Sequence, residues 1–135
     1  MRILIDMSLP TEVLELARAA NFAAFTVHLK SGDAMTHVMW VDADDDHVLI
    51  NTEIHRAKFK TVERDPRVTV MIWEKANPYH YVEVRGRVVE TVGGAEARAH
   101  IDALSQKYHG TDYNANNITS ERVILKIAPH AVVER

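Results

Sequence analysis

The sequence predicts a mostly β domain, an antiparallel barrel or closed sheet plugged by small helices, and three observations carry that reading. Six or seven runs rich in aromatic and β-branched residues succeed one another, separated by turn residues. The connections Ser31-Gly32-Asp33 and Ala76-Asn77-Pro78 suit hairpins and are too short for parallel crossovers. The length, 135 residues with 47% hydrophobic and 26% charged, fits one globular domain over residues 1–135. A doubly wound parallel sheet does not fit, and no repeat, low-complexity tract or interdomain linker is evident.

Ser8-Leu9-Pro10-Thr11-Glu12 reads as a helix start, with Ser8 as candidate cap, Pro10 in the first turn and Val13, Leu14, Leu16, Ala17 and Ala20 at helical spacing, so a helix is expected over about 10–20. Residues 22–29 and 35–41 read as two strands around Ser31-Gly32-Asp33. Asp42, Asp44, Asp45 and Asp46 form a polar break before a third strand, 47–52, which makes a meander. Ile54 to Arg64 carries apolar residues three and four apart, as in a short amphipathic helix, and Asp65-Pro66 stops it. Strands 67–73 and 79–90 follow. Gly93-Gly94 breaks the chain before the longest helix, 95–105, which ends near Gly110. A polar loop over 112–120 leads to a last strand, 122–128, with a short extension at 130–133.

Composition excludes several functions. The net charge of −3 and pI near 6.2 remove the general electrostatic case for binding nucleic acid. With no cysteine, disulfides, thiolate nucleophiles and Cys-ligated metals are ruled out. No stretch approaches a membrane helix, and Asp6 interrupts what would be the apolar run of a signal peptide, so the chain is expected in the cytoplasm and off the membrane.

A two-residue loop at Gly32-Asp33 would set His28 opposite His37, Thr26 opposite Met39 and Phe25 opposite Trp40. A loop over 42–46 would set His37 opposite Asn51, Val38 opposite Ile50 and Thr36 opposite Thr52. One face then carries Thr36, Val38, Trp40, Ile50 and Thr52, the other His28, His37 and Asn51. Two histidines without an evident third ligand do not make a metal site, and none is assigned. Asp42, Asp44, Asp46 and Glu53 occupy positions 1, 3, 5 and 12 of a calcium-loop template, but His47 stands where that loop requires Gly.

The strongest constellation is Asn51-Thr52-Glu53-Ile54-His55-Arg56-Ala57-Lys58-Phe59-Lys60. It joins a strand end to a helix start, where free amides, the helix dipole, Arg56 and Lys58 suit a phosphate. Residues 56–67 hold five bases and two acids in a chain that is net negative. A solvated helix face would carry the same pattern. Tyr79-His80-Tyr81 offers aromatic surface to a flat ligand, or packing to a sheet. No serine elbow or glycine-rich phosphate loop is present.

The run from Asn51 to Val70, with its Thr52, Arg56-Ala57-Lys58 and Asp65-Pro66-Arg67-Val68, resembles the flavin-binding segment of the pyridoxamine-phosphate-oxidase-like split β-barrel superfamily. The order of the remaining strands is similar over roughly residues 10–133. The resemblance implies a split antiparallel β-barrel of the FMN-binding type, assembled as a homodimer. Within the superfamily, the short chain and the Arg56-Ala57-Lys58 spelling look most like the deazaflavin-dependent oxidoreductases that use coenzyme F-420. That likeness implies Arg56 and Lys58 on the cofactor phosphate, Asn51 and Thr52 beside it, Val38, Met39 and Trp40 along the ring, and Tyr79 and His80 reaching the partner's site. The implied reaction is hydride transfer to a small conjugated acceptor such as a quinone, enone or tetrapyrrole, with no general acid assigned. FMN in the same site, as a flavin oxidase or reductase, and a non-catalytic ligand-binding module are the alternatives. The C-terminal Trp and Arg of true pyridoxamine phosphate oxidases have no counterpart in Ala131-Val132-Val133-Glu134-Arg135, which argues against vitamin B6 oxidation.

Overall fold

The computed structural model describes residues 2–5 and 8–135. Met1 and Asp6, on which the expectation of no leader partly rests, lie outside the described residues. In chain order the elements are β1 (Arg2–Ile5), α1 (Thr11–Arg18), β2 (Phe22–His28), β3 (Ala34–Trp40), β4 (Asp42–Ala43), β5 (Val48–Glu53), α2 (Ala57–Arg64), β6 (Arg67–Glu74), β7 (Asn77–Val92), α3 (Gly94–His109), a 3-10 turn (Ala115–Asn117) and β8 (Arg122–Glu134). The strands form one antiparallel sheet in the order β3-β2-β6-β7-β8-β5-β4, curled into a half-barrel. β8 is long enough to pair with β7 along one side and with β5 and then β1 along the other.

Alternation on β2 turns Ala23, Phe25 and Val27 inward, where they meet Val70, Ile72, Val84, Leu125 and Ile127. Each such side chain contributes about 2 kcal/mol by leaving water. All six residues of β5 are buried, because its second face lies under α3, where Leu49 packs with Ala97 and Ile124. That double cover explains why 48–53 reads as a continuous run. α1 closes the barrel with Val13, Leu16 and Ala17. Gly110 ends α3 with φ +77°, a left-handed cap. At the β7 irregularity next to Arg85, a Cβ on Gly86 would overlap the Ala128 carbonyl oxygen, so β8 can approach only a glycine here. Among the described residues no helix is long and apolar enough to cross a membrane.

Four expectations are corrected. Ser8 does not cap α1; Pro10 is the N-cap residue and no side chain bonds there. The first hairpin closes through a turn at Leu29–Gly32, with Gly32 N–H donating to Leu29 O at 3.0 Å and Gly32 at φ +94°. His28 therefore pairs with Ala34, Thr26 with Thr36 and Phe25 with His37. A shift of three residues reverses the faces, so the two histidines lie on opposite sides of the sheet. The meander is the third correction: β3 and β5 do not pair, since β5 lies between β8 and the two-residue β4, with Ile50 opposite Leu125 and Asn51 opposite Ile124. Finally, 122–128 and its extension are one strand, and β1 is a strand that the sequence pattern did not indicate.

Candidate functional site

Because β3 ends the sheet on one edge and the two-residue β4, carried on β5, ends it on the other, the curled sheet leaves a seam between β3 and β5. A cavity of about 290 Å³ opens there. Val38, Met39 and Trp40 of β3 form one wall, Asn51 of β5 and Arg122 of β8 another, and Ile101 and Leu104 of α3 a lid, with Phe22 and Tyr113 completing it. Trp40 stacks on Tyr108 of α3, ring centroids 5.0 Å apart and planes 7° apart, and meets Tyr113 edge-on at 6.1 Å. The indole is thus fixed from behind, leaving a rigid apolar surface on the cavity.

Beside this cavity lies a cluster of cations. Burial, then Arg56, then Arg122 pull the Lys58 ammonium below the ordinary lysine value. Lys58 is only 8% exposed and has no hydrogen-bond or ion-pair partner among the described residues. His37 adjoins it: burial, then Lys58 and Arg56, hold that imidazole below its ordinary value. Its Nδ1 is buried with no partner. The backbone amides of Ala57 and Lys58 open α2, where they have no intrahelical acceptor. A buried lysine with the exposed Arg56 beside it, an orphaned ring nitrogen and a helix start are together the surroundings that a phosphate would complete. The residues therefore fit the phosphorylated cofactor that the sequence resemblance implies.

Arg122 joins the two halves of the site. Its Nε donates to Asn51 Oδ1 at 2.9 Å and its Nη1 to Glu53 Oε1 at 3.1 Å, and its guanidinium carbon stands 5.4 Å from the centre of the Tyr113 ring. Glu53 is fully buried. Burial alone would raise its carboxyl, but the N–H and hydroxyl groups of Thr119 and Ser120, with Arg122, override this and hold it at about 2. Asn51 Nδ2 donates to Ala97 O at 3.1 Å and reaches His100 Nδ1 at 3.0 Å, and His100 Nε2 lies 3.0 Å from Asp42 Oδ2.

The structure brings Val38, Met39, Trp40 and Asn51 together in the cavity, with Arg56 and Lys58 beside it. Thr52 is buried on the opposite face of β5 from Asn51 and does not line the cavity. Tyr79 is exposed near the start of β7. His80 lies elsewhere in the same chain, between Glu12 Oε1 at 2.6 Å and Glu74 Oε2 at 3.1 Å, in a larger cavity of about 730 Å³ lined also by Glu15 and Glu134. Its carboxylates disfavour a phosphate, so the larger cavity is not the candidate site. The acids of the calcium template separate: Asp42 binds His100, Asp44 accepts from the amides of Asp46 and His47, and Glu53 binds Arg122. Sequence reading missed Arg122, His37, Tyr113 and His100 as site residues. His37 and Arg122 were visible as a histidine and an arginine on strands, but their place depends on strand order and register.

Comparison with known proteins agrees with this geometry. Residues 9–135 match the pyridoxamine 5'-phosphate oxidase family. Among solved structures, an F420 reductase is similar at 23% identity and TM-score 0.81, over 94% of this chain and 100% of that one. A conserved hypothetical protein of Mycobacterium tuberculosis is similar at 20% identity and TM-score 0.72, over 95% of this chain and 84% of that one. A putative pyridoxamine 5'-phosphate oxidase of Listeria innocua is similar at 16% and 0.66, over 91% and 94%. No curated protein matches. At these identities the structural likenesses establish the fold, a split barrel. The family match spans nearly the whole chain, which belongs to the pyridoxamine 5'-phosphate oxidase family.

Proposed function

We propose that the protein is an oxidoreductase that binds the reduced deazaflavin coenzyme F-420 and passes hydride to a flat conjugated acceptor such as a quinone, enone or tetrapyrrole, working as a homodimer in the cytoplasm. The observation that carries this reading is Lys58: a buried cation without an anionic partner, at a helix start, crowded by Arg56 and Arg122. Membership of a family that binds flavins supports it, as does the likeness to a structure named F420 reductase.

In this reading Arg56, Lys58 and the first amides of α2 hold the phosphate, with His37 Nδ1 beside it. Val38, Met39 and Trp40 lie along the ring, and Ile101 and Leu104 exclude water from its far side. The bound deazaflavin supplies the hydride chemistry. The chain supplies orientation, a dry wall and a fixed positive field, and the proton that completes the product comes from solvent. FMN is the second reading, favoured by the same phosphate surroundings and by the family. A ligand-binding module without turnover is a third.

Fluorescence titration with coenzyme F-420 and, separately, FMN tests the proposal. Micromolar or tighter deazaflavin binding with weak FMN binding is the expected result, followed by oxidation of the reduced cofactor by one of the acceptors. The reverse preference moves the protein to the FMN branch, and binding without turnover by any acceptor moves it to the third reading. R56A/K58A is expected to bind either cofactor about a hundredfold more weakly while keeping its circular dichroism spectrum; unchanged affinity removes the phosphate assignment.

A further inference from the structure

We infer that Arg122 is the group that recognises the flat ring in the seam cavity, donating from Nη2 to a carbonyl oxygen on that ring, and that His100 is its positioning residue. The inference rests on the reading above and assigns to the site a residue pair beyond its phosphate-binding end.

A guanidinium has five N–H donors in a planar fork and no acceptor. Arg122 uses Nε on Asn51 and Nη1 on Glu53, whereas Nη2 donates to no described residue. Its side chain is only 9% exposed, and what it faces is the cavity beside the Tyr113 ring and the Trp40 wall. A buried cation with a free donor, on an otherwise apolar and aromatic wall, calls for a flat ligand that presents an oxygen. Asn51 lines the same cavity, but both of its amide donors and its carbonyl oxygen are engaged with Ala97, His100 and Arg122. Arg122 is therefore the cavity's available charged donor.

The bonds behind it have a fixed direction. Asp42 can only accept and Arg122 can only donate, so each proton between them is assigned by the ends. Arg122 Nε–H donates to Asn51 Oδ1, which turns Asn51 Nδ2 toward Ala97 O and His100 Nδ1. His100 Nδ1 therefore accepts, and its Nε2–H donates to Asp42. Removing His100 leaves Ala97 O as the one remaining partner of Asn51 Nδ2 among the described residues, which loosens the amide that, with Glu53, aims the Arg122 fork. Glu53, the other anchor, is itself fixed by Thr119 and Ser120.

The experiment compares R122Q, R122K, H100L and R56A/K58A with the native protein, titrating each with coenzyme F-420 and with FMN. It reads affinity and the absorption band of the ring at saturation. R122K is included because it keeps a cation opposite Glu53 if R122Q fails to fold, yet a single ammonium cannot span Asn51, Glu53 and a ligand together. In the native protein the bound ring's band is expected to be displaced from its position in free solution. Both Arg122 variants are expected to bind about tenfold more weakly and to return the band toward the free position. H100L is expected to move the band in the same direction with Arg122 still present. R56A/K58A is expected to weaken binding while leaving the band of whatever remains bound unmoved. Weaker binding with an unmoved band in R122Q or R122K makes Arg122 another phosphate contact and overturns the inference, as does unchanged affinity and band. An unmoved band in H100L overturns the positioning role. Native protein that binds neither cofactor overturns the proposed function together with this inference, whereas native binding with unaltered Arg122 variants overturns this inference alone.

Discussion

A lysine side chain largely buried at the start of a helix opposes two preferences at once, since burial disfavours the charge and the dipole at an N-terminus favours an anion. Lys58 bears both costs, with Arg56 and Arg122 adding repulsion. K58M is therefore expected to stabilise the ligand-free protein by about 1 kcal/mol, roughly 4 °C in melting temperature, while removing the stabilisation that FMN or F-420 confers. Thermal melts with and without cofactor check this, and a lower ligand-free melting temperature in K58M contradicts it. Glu53 gives the opposite case, a buried carboxylate with every need met. Its folded value of about 2 lies below the ordinary 4.5, so its contribution is full above pH 4.5 and is lost as pH falls toward 2. The loss amounts to about 3 kcal/mol. E53Q is expected to be less stable at neutral pH and to show a flatter acid limb when urea unfolding is followed from pH 5 to 2. Arg56 and Lys58 could be read from sequence because the feature that makes them a site, a strand end running into a helix start, is local. Glu53 and Arg122 could not, because their meeting depends on β5 lying beside β8, 69 residues apart in the chain.

Elements were legible where local chemistry decides them. Gly110 stops α3, Asp65-Pro66 stops α2, and alternation marks β2 and β6. Register was not, because one left-handed residue, Gly32, lengthened the first hairpin loop and so moved His37 to the face opposite His28, beside Lys58. The partner of β5 was also misread, since a run of acids suggests a simple turn whether the chain pairs backward or crosses the seam. Contacts between elements add a pH-dependent clamp: His80 of β7 bridges Glu12 of α1 and Glu74 of β6, and those carboxylates raise its affinity for a proton. With the folded value above the ordinary 6.5, the clamp is fully stabilising below pH 6.5 and fades as pH rises through the folded value. E12Q is expected to bring the His80 titration, followed by NMR, back toward 6.5 and to reduce the fall in stability from pH 6 to 9. An unmoved midpoint in E12Q shows that Glu12 does not hold the proton.

The whole molecule is a curled sheet whose seam no ladder closes among the described residues, so β3 keeps one backbone edge without a strand partner there. Such an edge, with Val38 68% exposed on it, invites pairing or cover. Tyr79, 87% exposed where β6 passes to β7, is with Val38 the most exposed of the large apolar side chains, ahead of Val89 at 51% and Ile54 at 38%. Neither Val38 nor Tyr79 contributes to the monomer's core, and both lie on strands whose length and sequence are otherwise those of a well-packed barrel. In the homodimer proposed above, a second copy would cover these positions and would wall the seam cavity on the side where β3 is open. Sedimentation equilibrium is expected to give twice the chain mass of 15.3 kDa. V38D/Y79D, which places charge on both positions without touching the core, is expected to sediment as the monomer with its circular dichroism spectrum retained. Its cofactor affinity is expected to fall as well, both because Val38 itself walls the cavity and because the cavity then lies open to water along β3. A native protein that sediments at the mass of one chain removes the homodimer from the proposed function and leaves the cavity complete within a single barrel.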